Sequence, residues 1–348
     1  MGAPGDQPVR PAAEAEPSAA GTSPAPAPAR GTRPANWRAW LGSPIALIPF
    51  LLVAIVTLVL VAASHFQDFG ASFWSTYYDF LPGNSTGSSW GIGSFVVGTG
   101  ITAGAALVLA TGLSLALSVS IVVYLPSIPS RILTILTNLL AGIPSVVYGI
   151  WGYVILAPYF ALTLEPGLRD TIGWIPGFGG PVSEIGPHGL LLAIAILTIM
   201  IIPLTTALMR DALRAVPGDL IEAGLALGAT RWEVARRVRM RSARLGIGSA
   251  VLLGFGRAVG ESVAVAMVIG AVPAIPQSLY SASTTQASFI FYQLDSAFIY
   301  PLLLRFLVEI ALVLLVIALV VNLLAQRLTR TEVATATTVG SEGGLVVR

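Results

Sequence analysis

Cysteine and lysine are both missing from this 348-residue chain, and charged residues are scarce. Without cysteine there is no disulfide and no thiolate metal site. Without lysine there is no P-loop of the GxxxxGKS/T type, so the chain has no ATP-hydrolysing site of that kind. Charged residues make up 10% of the sequence, whereas a soluble globular domain carries about 25%. A net charge of +2 gives no indication of nucleic-acid binding, and no Ser/His/Asp or Cys/His grouping suggests catalysis.

Apolar residues are abundant, at 55% of the chain with a mean hydropathy of +0.82. This composition predicts an all-α membrane protein that crosses a bilayer several times. Residues 1–40 are the exception, because they are rich in Pro, Ala, Gly and Ser and have too little apolar surface to bury on folding. We expect these residues to form a disordered tail.

Six apolar segments reach the roughly 20 residues that a helix needs to cross the hydrocarbon core. They are residues 45–64, 95–124, 132–160, 189–209, 246–271 and 298–324. The second and third are longer than a crossing requires, which indicates tilt or projection beyond the lipid. The third is interrupted at Asn138 and at Ile143-Pro144-Ser145, where protein neighbours or water must satisfy the freed backbone groups.

Sixteen of the 19 arginines fall on one side of the membrane if there are six spans. They lie before the first span, between spans two and three, between spans four and five, and at the C-terminus. By the positive-inside rule, this asymmetry predicts that both termini and the loop between spans four and five are cytoplasmic. Arg257 and Arg305 lie within spans, and Arg169 alone lies on the outer side.

The loop between spans four and five contains two short helices whose ends can be predicted. Asp219 with Glu222, and Thr230 with Glu233, have the spacing of a capping box, in which two side chains satisfy free backbone N–H groups. Gly228 lies between them, in the position that ends the first helix. The sequence therefore predicts a sharp bend at Gly228, and we call residues 210–245 the elbow. Small residues in the elbow would let another protein approach closely: Ala223, Gly224, Ala226 and Ala229.

Two ionisable residues, Arg257 and Glu261, lie near the middle of the fifth span. Four positions apart on a helix, they would share one face. An arginine at mid-bilayer costs about 2.5–3.5 kcal/mol on insertion scales, so such residues are usually functional. Two interpretations remain open: the pair neutralises itself and locks the fifth span to a neighbour, or both residues line a path for a solute.

Three blocks of the sequence resemble one family of transport proteins. Glu222-Ala223-Gly224, followed by Gly228, resembles the EAA loop of permease subunits of bacterial ABC importers, although Gly224 replaces the family's third Ala and Arg241 its Pro. The blocks 141–152 (AGIPSVVYGIWG) and 256–262 (GRAVGES) resemble signatures of the paired permeases of the phosphate-specific importer. Over residues 45–325 the order of these blocks is similar to that of the PstC-type permeases.

The resemblance implies a type I ABC importer permease-like fold, with six transmembrane helices and both termini inside (N-in/C-in), in the bacterial cell membrane. Residues 1–40 would be a disordered cytoplasmic tail, and residues 41–90 the first transmembrane helix with its outer loop. Residues 91–325 would be the permease core, with the coupling loop at 210–245. Residues 326–348 would be a cytoplasmic C-terminal tail.

The resemblance also implies an ATP-driven importer of inorganic phosphate, in which this chain is a permease and not an enzyme. Its substrate path would include Arg257, Glu261 and Ser262. The residues that couple it to an ATPase would be Glu222, Ala223, Gly224, Gly228, Ala229 and Thr230. The implied partners are a PstA-like second permease, a PstB-like ATPase dimer and a PstS-like phosphate-binding protein. No cofactor or metal is expected in this chain, because the partner ATPase would bind ATP and Mg.

The chemistry of the ionisable pair suits phosphate. A guanidinium offers a planar fork to a tetrahedral oxyanion, and a carboxylate can accept the O–H of hydrogen phosphate, which sulfate lacks at neutral pH. One alternative is a permease for another oxyanion, molybdate or sulfate. Another, of a different class, is a stand-alone secondary transporter. Such transporters usually contain inverted repeats, and no such repeat is evident in this sequence.

Overall fold

Helices dominate the structure, a computed structural model that describes residues 91–180 and 186–342 together with Gly2, Ile55, Val56 and Val59. Side chains are described in these residues except for Leu302 and residues 325–342. The predicted tail (1–40), most of the first predicted span (45–64), most of the outer loop that follows it, and residues 343–348 lie outside the described residues.

In chain order the described helices are α1 (Gly93–Tyr124), α2 (Ser127–Ala141), α3 (Ser145–Ile172), α4 (Leu190–Arg214), α5 (Gly218–Ala226), α6 (231–242), α7 (Arg244–Gly260), α8 (Val263–Ile269), α9 (Gln286–Ala297) and α10 (Pro301–Glu342). Within the described residues, four helices are long and apolar enough to cross a membrane: α1, α3, α4 and the part of α10 from Leu303 to Leu324. The bent pair of α7 and α8 is a fifth candidate. The count of six crossings stays a prediction, because most of the first predicted span lies outside these residues.

The third predicted span, 132–160, is wrong in its bounds. The structure ends α2 at Ala141 and begins α3 at Ser145, and α3 continues to Ile172 through two π-helical turns. Pro144 explains the interruption, because proline has no N–H to donate and disfavours the helical conformation in the residue before it. The α2 helix is therefore a separate element that packs along α4, while α3 is the candidate crossing.

Among the candidate spans, α4 is the most buried, with 67% of its apolar window inside the structure. It packs against α1, where a row of alanines allows the two backbones to approach closely. Hydrogen bonds reinforce this contact: the Ser114 and Thr205 hydroxyl oxygens are 2.6 Å apart, and the Ser118 hydroxyl donates to the Thr206 carbonyl at 3.0 Å. The alanines of α1 are Ala103, Ala106 and Ala110.

The segment 270–285 anchors the end of α8. Gly270 ends this helix in the left-handed conformation, with φ of 100°, and then forms an isolated bridge with Ser283. The Ser283 N–H donates to the Ile269 carbonyl at 3.0 Å. On the other side, the Gly189 N–H donates to the Val268 carbonyl at 3.2 Å. These backbone bonds hold the end of α8 against the start of α4.

The helix α9 is absent from the sequence-based prediction, in which a span begins at residue 298. A capping box starts this helix: Thr285 Oγ1 accepts from the Ser288 N–H at 3.2 Å. Its Phe289 packs against Phe95 of α1, with ring centroids 4.3 Å apart, and against Phe306 of α10 at 6.2 Å. The aromatic cluster thereby joins α9 to two candidate spans.

Candidate functional site

The elbow begins with α5, whose N-terminus differs from the prediction. Pro217 is the N-cap residue, with an extended ψ of 137°, and no side chain caps the helix. The predicted capping role of Asp219 is therefore wrong, and Glu222 does not complete a capping box with it. Asp219 lies instead in the first turn, where the helix dipole stabilises its negative charge.

Gly228 ends α5 as predicted. Its φ of +82° is a left-handed conformation that glycine adopts without a Cβ clash. The Ala229 N–H donates to the Gly224 carbonyl at 3.2 Å, and the Gly228 N–H donates to the Leu225 carbonyl at 2.9 Å. Together these bonds form a Schellman motif, which satisfies the last helical carbonyls and turns the chain sharply.

Thr230 begins α6 through the predicted capping box, which is confirmed. The exposed Thr230 accepts the Glu233 N–H at 3.2 Å through Oγ1, and Glu233 Oε2 accepts the Thr230 N–H at 2.9 Å. The hydrogen bonds from the backbone and hydroxyl of Thr230 lower the pKa of the Glu233 carboxyl, because they favour its charged form. The bend at Gly228 is thus fixed by local bonds on both sides.

The elbow presents its predicted coupling residues on two faces. Glu222 and Ala223 are exposed, and Leu227 is 89% exposed. Gly224 faces α6 instead, where a Cβ would lie 3.1 Å from Val234 Cγ2, which is tighter than ordinary van der Waals contact. The glycine that stands in place of the family's third alanine therefore lets α5 and α6 pack closely.

The fifth predicted span, 246–271, is broken where a continuous helix is expected. The α7 helix ends at Gly260, Glu261 has an extended ψ of 116°, and α8 begins at Val263 after a bend of 61°. The expectation that Arg257 and Glu261 share a helix face is therefore wrong. Arg257 lies in the last turn of α7, whereas Glu261 lies in the break itself.

The side chain of Glu261 turns towards the backbone of α8. Its Oε1 accepts a hydrogen bond from the Ala264 N–H at 3.3 Å. A carboxylate here bonds an otherwise free N–H group and is stabilised by the helix dipole, which favours a new helix start at this point. Ser262 is the half-buried N-cap residue of α8. Among the described side chains, no ion pair within 4.0 Å joins Glu261 to Arg257, so the interpretation as a self-neutralising pair is unsupported.

Arg257 lies near α3, the helix that begins after the break at Pro144. Its side chain is exposed on the single chain, and its charge is close enough to Tyr148 of α3 for a coulombic interaction. The Tyr148 hydroxyl donates to the Leu140 carbonyl at 3.0 Å, across the break at Pro144. The blocks 141–152 and 256–262 are far apart in the sequence, but each contains a helix break, and the two breaks are neighbours in space.

Glycine permits the close packing of α3 on α8. A Cβ on Gly149 would lie 2.7 Å from Met267 Sδ and 3.0 Å from Ala264 Cα. Sequence reasoning singled out Arg257 and Glu261 but gave no role to Tyr148. The available signal was its position, one turn after a helix-breaking proline in a glycine-containing apolar segment. The resulting site offers a guanidinium that can donate to an anion and a carboxylate that can accept a proton.

The region that contains both breaks and the elbow matches one protein family. Residues 108–331 match the family model described as binding-protein-dependent transport system inner membrane component. This chain therefore belongs to the inner membrane components of binding-protein-dependent transport systems, and it is a multi-pass membrane protein.

Curated relatives of this chain are named as PstC permeases, which confirms the resemblance to PstC-type permeases that the sequence blocks indicated. The chain is 37% identical to the phosphate transport system permease protein PstC of Haemophilus influenzae over 259 residues, which cover 72% of this chain and 80% of the relative. It is 36% identical to PstC 1 of Mycobacterium bovis over 319 residues, which cover 86% and 94%. A chain of the MetNI methionine ABC transporter in an inward-facing conformation is 21% identical, with a TM-score of 0.47 over 68% of this chain and 93% of that chain.

Proposed function

We propose that this chain is a transmembrane permease subunit of an ATP-driven importer of inorganic phosphate. The observation that carries the proposal is the exposed Arg257 in the last turn of α7, at a break within a candidate membrane span. An arginine that faced lipid at this depth would cost about 2.5–3.5 kcal/mol or more. A second protein surface or a water-filled path must therefore cover it, and a PstA-like second permease would provide both.

Phosphate suits the groups at the break. The guanidinium of Arg257 can donate two parallel N–H groups to the oxygens of a tetrahedral anion. Glu261 uses Oε1 to accept the Ala264 N–H, and we assign Oε2 to the O–H of hydrogen phosphate. Ser262, the next residue, would lie along the same path. The curated relatives named as phosphate permeases support this choice of solute over sulfate or molybdate.

Energy would enter from a partner, because the sequence contains no P-loop. The elbow offers exposed Glu222, Ala223 and Leu227 beside the fixed bend at Gly228, a surface suited to a groove on a PstB-like ATPase dimer. That dimer would bind ATP and Mg, and a PstS-like binding protein would deliver phosphate on the other side. The arginine distribution supports six crossings with the elbow and both termini in the cytoplasm.

Uptake of radiolabelled phosphate by membrane vesicles that contain the complete complex tests the proposal. We expect Arg257→Ala to abolish uptake, and Arg257→Lys to reduce it strongly, because lysine keeps the charge but loses the planar fork. Arg305→Ala is the matched control: Arg305 is another exposed arginine, but it lies at the end of its span. Membrane abundance and co-purification of the ATPase show whether each variant assembles.

Normal phosphate uptake by Arg257→Ala at equal membrane abundance would refute the proposed role of Arg257 in the solute path. Competition identifies the solute, since sulfate or molybdate that competed as well as phosphate would favour a different oxyanion. Omission of ATP separates the classes of transporter. Uptake that persisted without the ATPase would favour a stand-alone secondary transporter.

A further inference from the structure

A groove lies between the elbow and the end of α1. It is a cavity of about 150 Å³ that is lined by apolar side chains from three helices, including Val122 and Val123 of α1, Leu225 of α5 and Val234 of α6. Val234 is buried, whereas Leu225 is 45% exposed. The groove therefore combines a buried apolar floor with an accessible rim.

Two arginines of α6, Arg231 and Arg239, complete the lining, which contains no acidic residue. Arg239 is half-buried and donates from Nη1 to the Val122 carbonyl at 3.4 Å. Burial lowers the pKa of its guanidinium, which nevertheless stays charged at neutral pH. In the part of the chain that the structure describes, neither arginine has a carboxylate within 4.0 Å. The groove thus carries positive charge without a counter-ion of its own.

The groove also lies at the end of the candidate span α1, beside the arginine-rich elbow. Val122 and Val123 are in the last turn of the candidate span Gly93–Tyr124. Tyr124, the last residue of the helix, is 48% exposed, and Leu125 after it is extended. Tyrosine and arginine are favoured at the boundary between hydrocarbon and headgroups. A ligand between the end of α1 and the elbow can place a charged end against the arginines and an apolar end against the valines of α1.

We propose that the groove binds an anionic phospholipid, whose phosphate is held by Arg231 and Arg239 and whose acyl chain contacts Val122, Val123 and Leu225. A guanidinium pairs well with phosphate oxygens because its N–H groups form a planar fork. A free anion or the carboxylate of a partner protein would satisfy the arginines but leave the apolar lining unused. The inference depends on the membrane location of the chain and not on the solute that it transports.

A lipid in this groove would contact α1, α5 and α6 together. It would connect the elbow to the end of a membrane-spanning helix through a molecule that is not part of the protein. Removal of anionic lipid should therefore loosen the elbow without any change in the sequence. The proposal predicts that lipid composition affects the stability of the elbow as well as lipid binding.

The test is lipid binding by the purified complete complex in nanodiscs that contain phosphatidylglycerol and phosphatidylcholine, followed by native mass spectrometry. A basic residue near an anionic lipid contributes about 1 kcal/mol, so Arg231→Gln should weaken phosphatidylglycerol binding about fivefold. Arg231 is exposed, so this variant keeps the fold. Arg239→Gln should weaken phosphatidylglycerol binding further by a similar factor. Arg236→Gln is the matched control, because Arg236 is exposed on the same helix and does not line the groove.

Equal phosphatidylglycerol binding by Arg231→Gln and Arg236→Gln would overturn the proposal. Equal binding of phosphatidylcholine by the unmodified complex would also overturn it, as would displacement of the lipid by excess inorganic phosphate. The last result would make the groove a site for the free anion. Failure here would leave the Arg257-dependent uptake test unaffected, so the two proposals can be judged separately.

Discussion

The side chain of Glu261 has two proposed roles: it accepts a hydrogen bond from the backbone of α8, and its charge acts in the solute path. Two substitutions can separate these roles. Glu261→Gln keeps an oxygen that can accept the Ala264 N–H, whereas Glu261→Ala removes it. We expect Glu261→Ala to lower the free energy of unfolding by about 1 kcal/mol and Glu261→Gln to leave it nearly unchanged. Both should impair phosphate uptake, because both remove the carboxylate. Thermal unfolding of the complex and uptake at equal abundance measure the two effects.

The decisive comparison is the uptake by Glu261→Gln. A stable Glu261→Gln complex with normal uptake would show that the carboxylate only supports the start of α8. Loss of uptake without loss of stability would assign it to the solute path.

The capping box at Thr230 gives a prediction about pH. The pKa of Glu233 is lowered in the fold, so the box stabilises α6 above the usual carboxyl value of 4.5, and this contribution is lost as the pH falls below it through the lowered pKa. Protection of the Thr230 amide from hydrogen exchange, corrected for intrinsic pH dependence, should therefore decrease in that acidic range. Thr230→Ala should lose the protection of the Glu233 amide at all pH values and cost roughly 0.5–2 kcal/mol.

Thr230→Ser is the control for this experiment, since serine retains a hydroxyl at the same position. Retained protection in Thr230→Ala would contradict the assigned hydrogen bond between Thr230 Oγ1 and the Glu233 N–H. This residue-scale feature could be predicted from the sequence because both partners lie three positions apart. Asp219 had the same spacing with Glu222 but does not cap, because Pro217 takes the N-cap position of α5.

At the scale of elements, the bend of the elbow depends on the backbone conformation of Gly228. A Cβ on Gly228 would meet nothing within 4 Å, so Gly228→Ala is strained only by its φ of +82°. A left-handed residue other than glycine costs about 1–2 kcal/mol. We expect Gly228→Ala to weaken retention of the ATPase on co-purification and to lower ATP-driven uptake.

Gly218→Ala is a matched control, because a Cβ there also meets nothing within 4 Å and its φ is not positive. It should retain the ATPase at the level of the unmodified chain. Equal effects of the two substitutions would mean that the left-handed turn does not set the geometry of the elbow.

The two helix breaks and the helix α9 show that the course of a helix is harder to predict from sequence than a local cap. Pro144 signals an interruption in the sequence, and the break there is visible before the structure is known. The break at Glu261 has no proline, and a helical pattern does not reveal the bond there between the Glu261 carboxylate and the Ala264 N–H. The helix α9 was missed although Thr285 and Ser288 form a capping box, because its Phe289 is buried only through contacts with α1 and α10.

At the scale of the whole molecule, the absence of cysteine allows the orientation to be tested with single thiols. Leu227 in the elbow is 89% exposed, and Trp174 after α3 is 82% exposed. In vesicles without the ATPase, which would cover Leu227, we expect a membrane-impermeant maleimide to label Leu227→Cys only when the vesicles are inverted. Trp174→Cys should be labelled only in right-side-out vesicles. Labelling of Leu227→Cys from the outside would reject both the cytoplasmic elbow and its coupling role.

The sequence predicted the membrane class and the family of the chain, since composition and short blocks carry those signals. It did not predict that Arg257 lies within electrostatic range of Tyr148, because this interaction joins α7 to α3 across a large separation in the chain. Nor could it predict that Arg257 would be exposed, because exposure depends on how the helices pack. The proposed second permease would cover this arginine, and its sequence is not part of this chain.

The bend between α7 and α8 joins the segment that follows the elbow to the segment that is bonded to the start of α4. On one side, α7 follows the elbow with only Ala243 between α6 and α7. On the other, α8 packs on α3 and is bonded to the start of α4 through Val268. In the proposed importer, a force applied near Gly228 would reach Arg257 through α7, whereas Val263 begins the helix that is bonded to α4. We expect such a force to change the distance between the guanidinium of Arg257 and the start of α8, and with it the affinity of the proposed site for an anion.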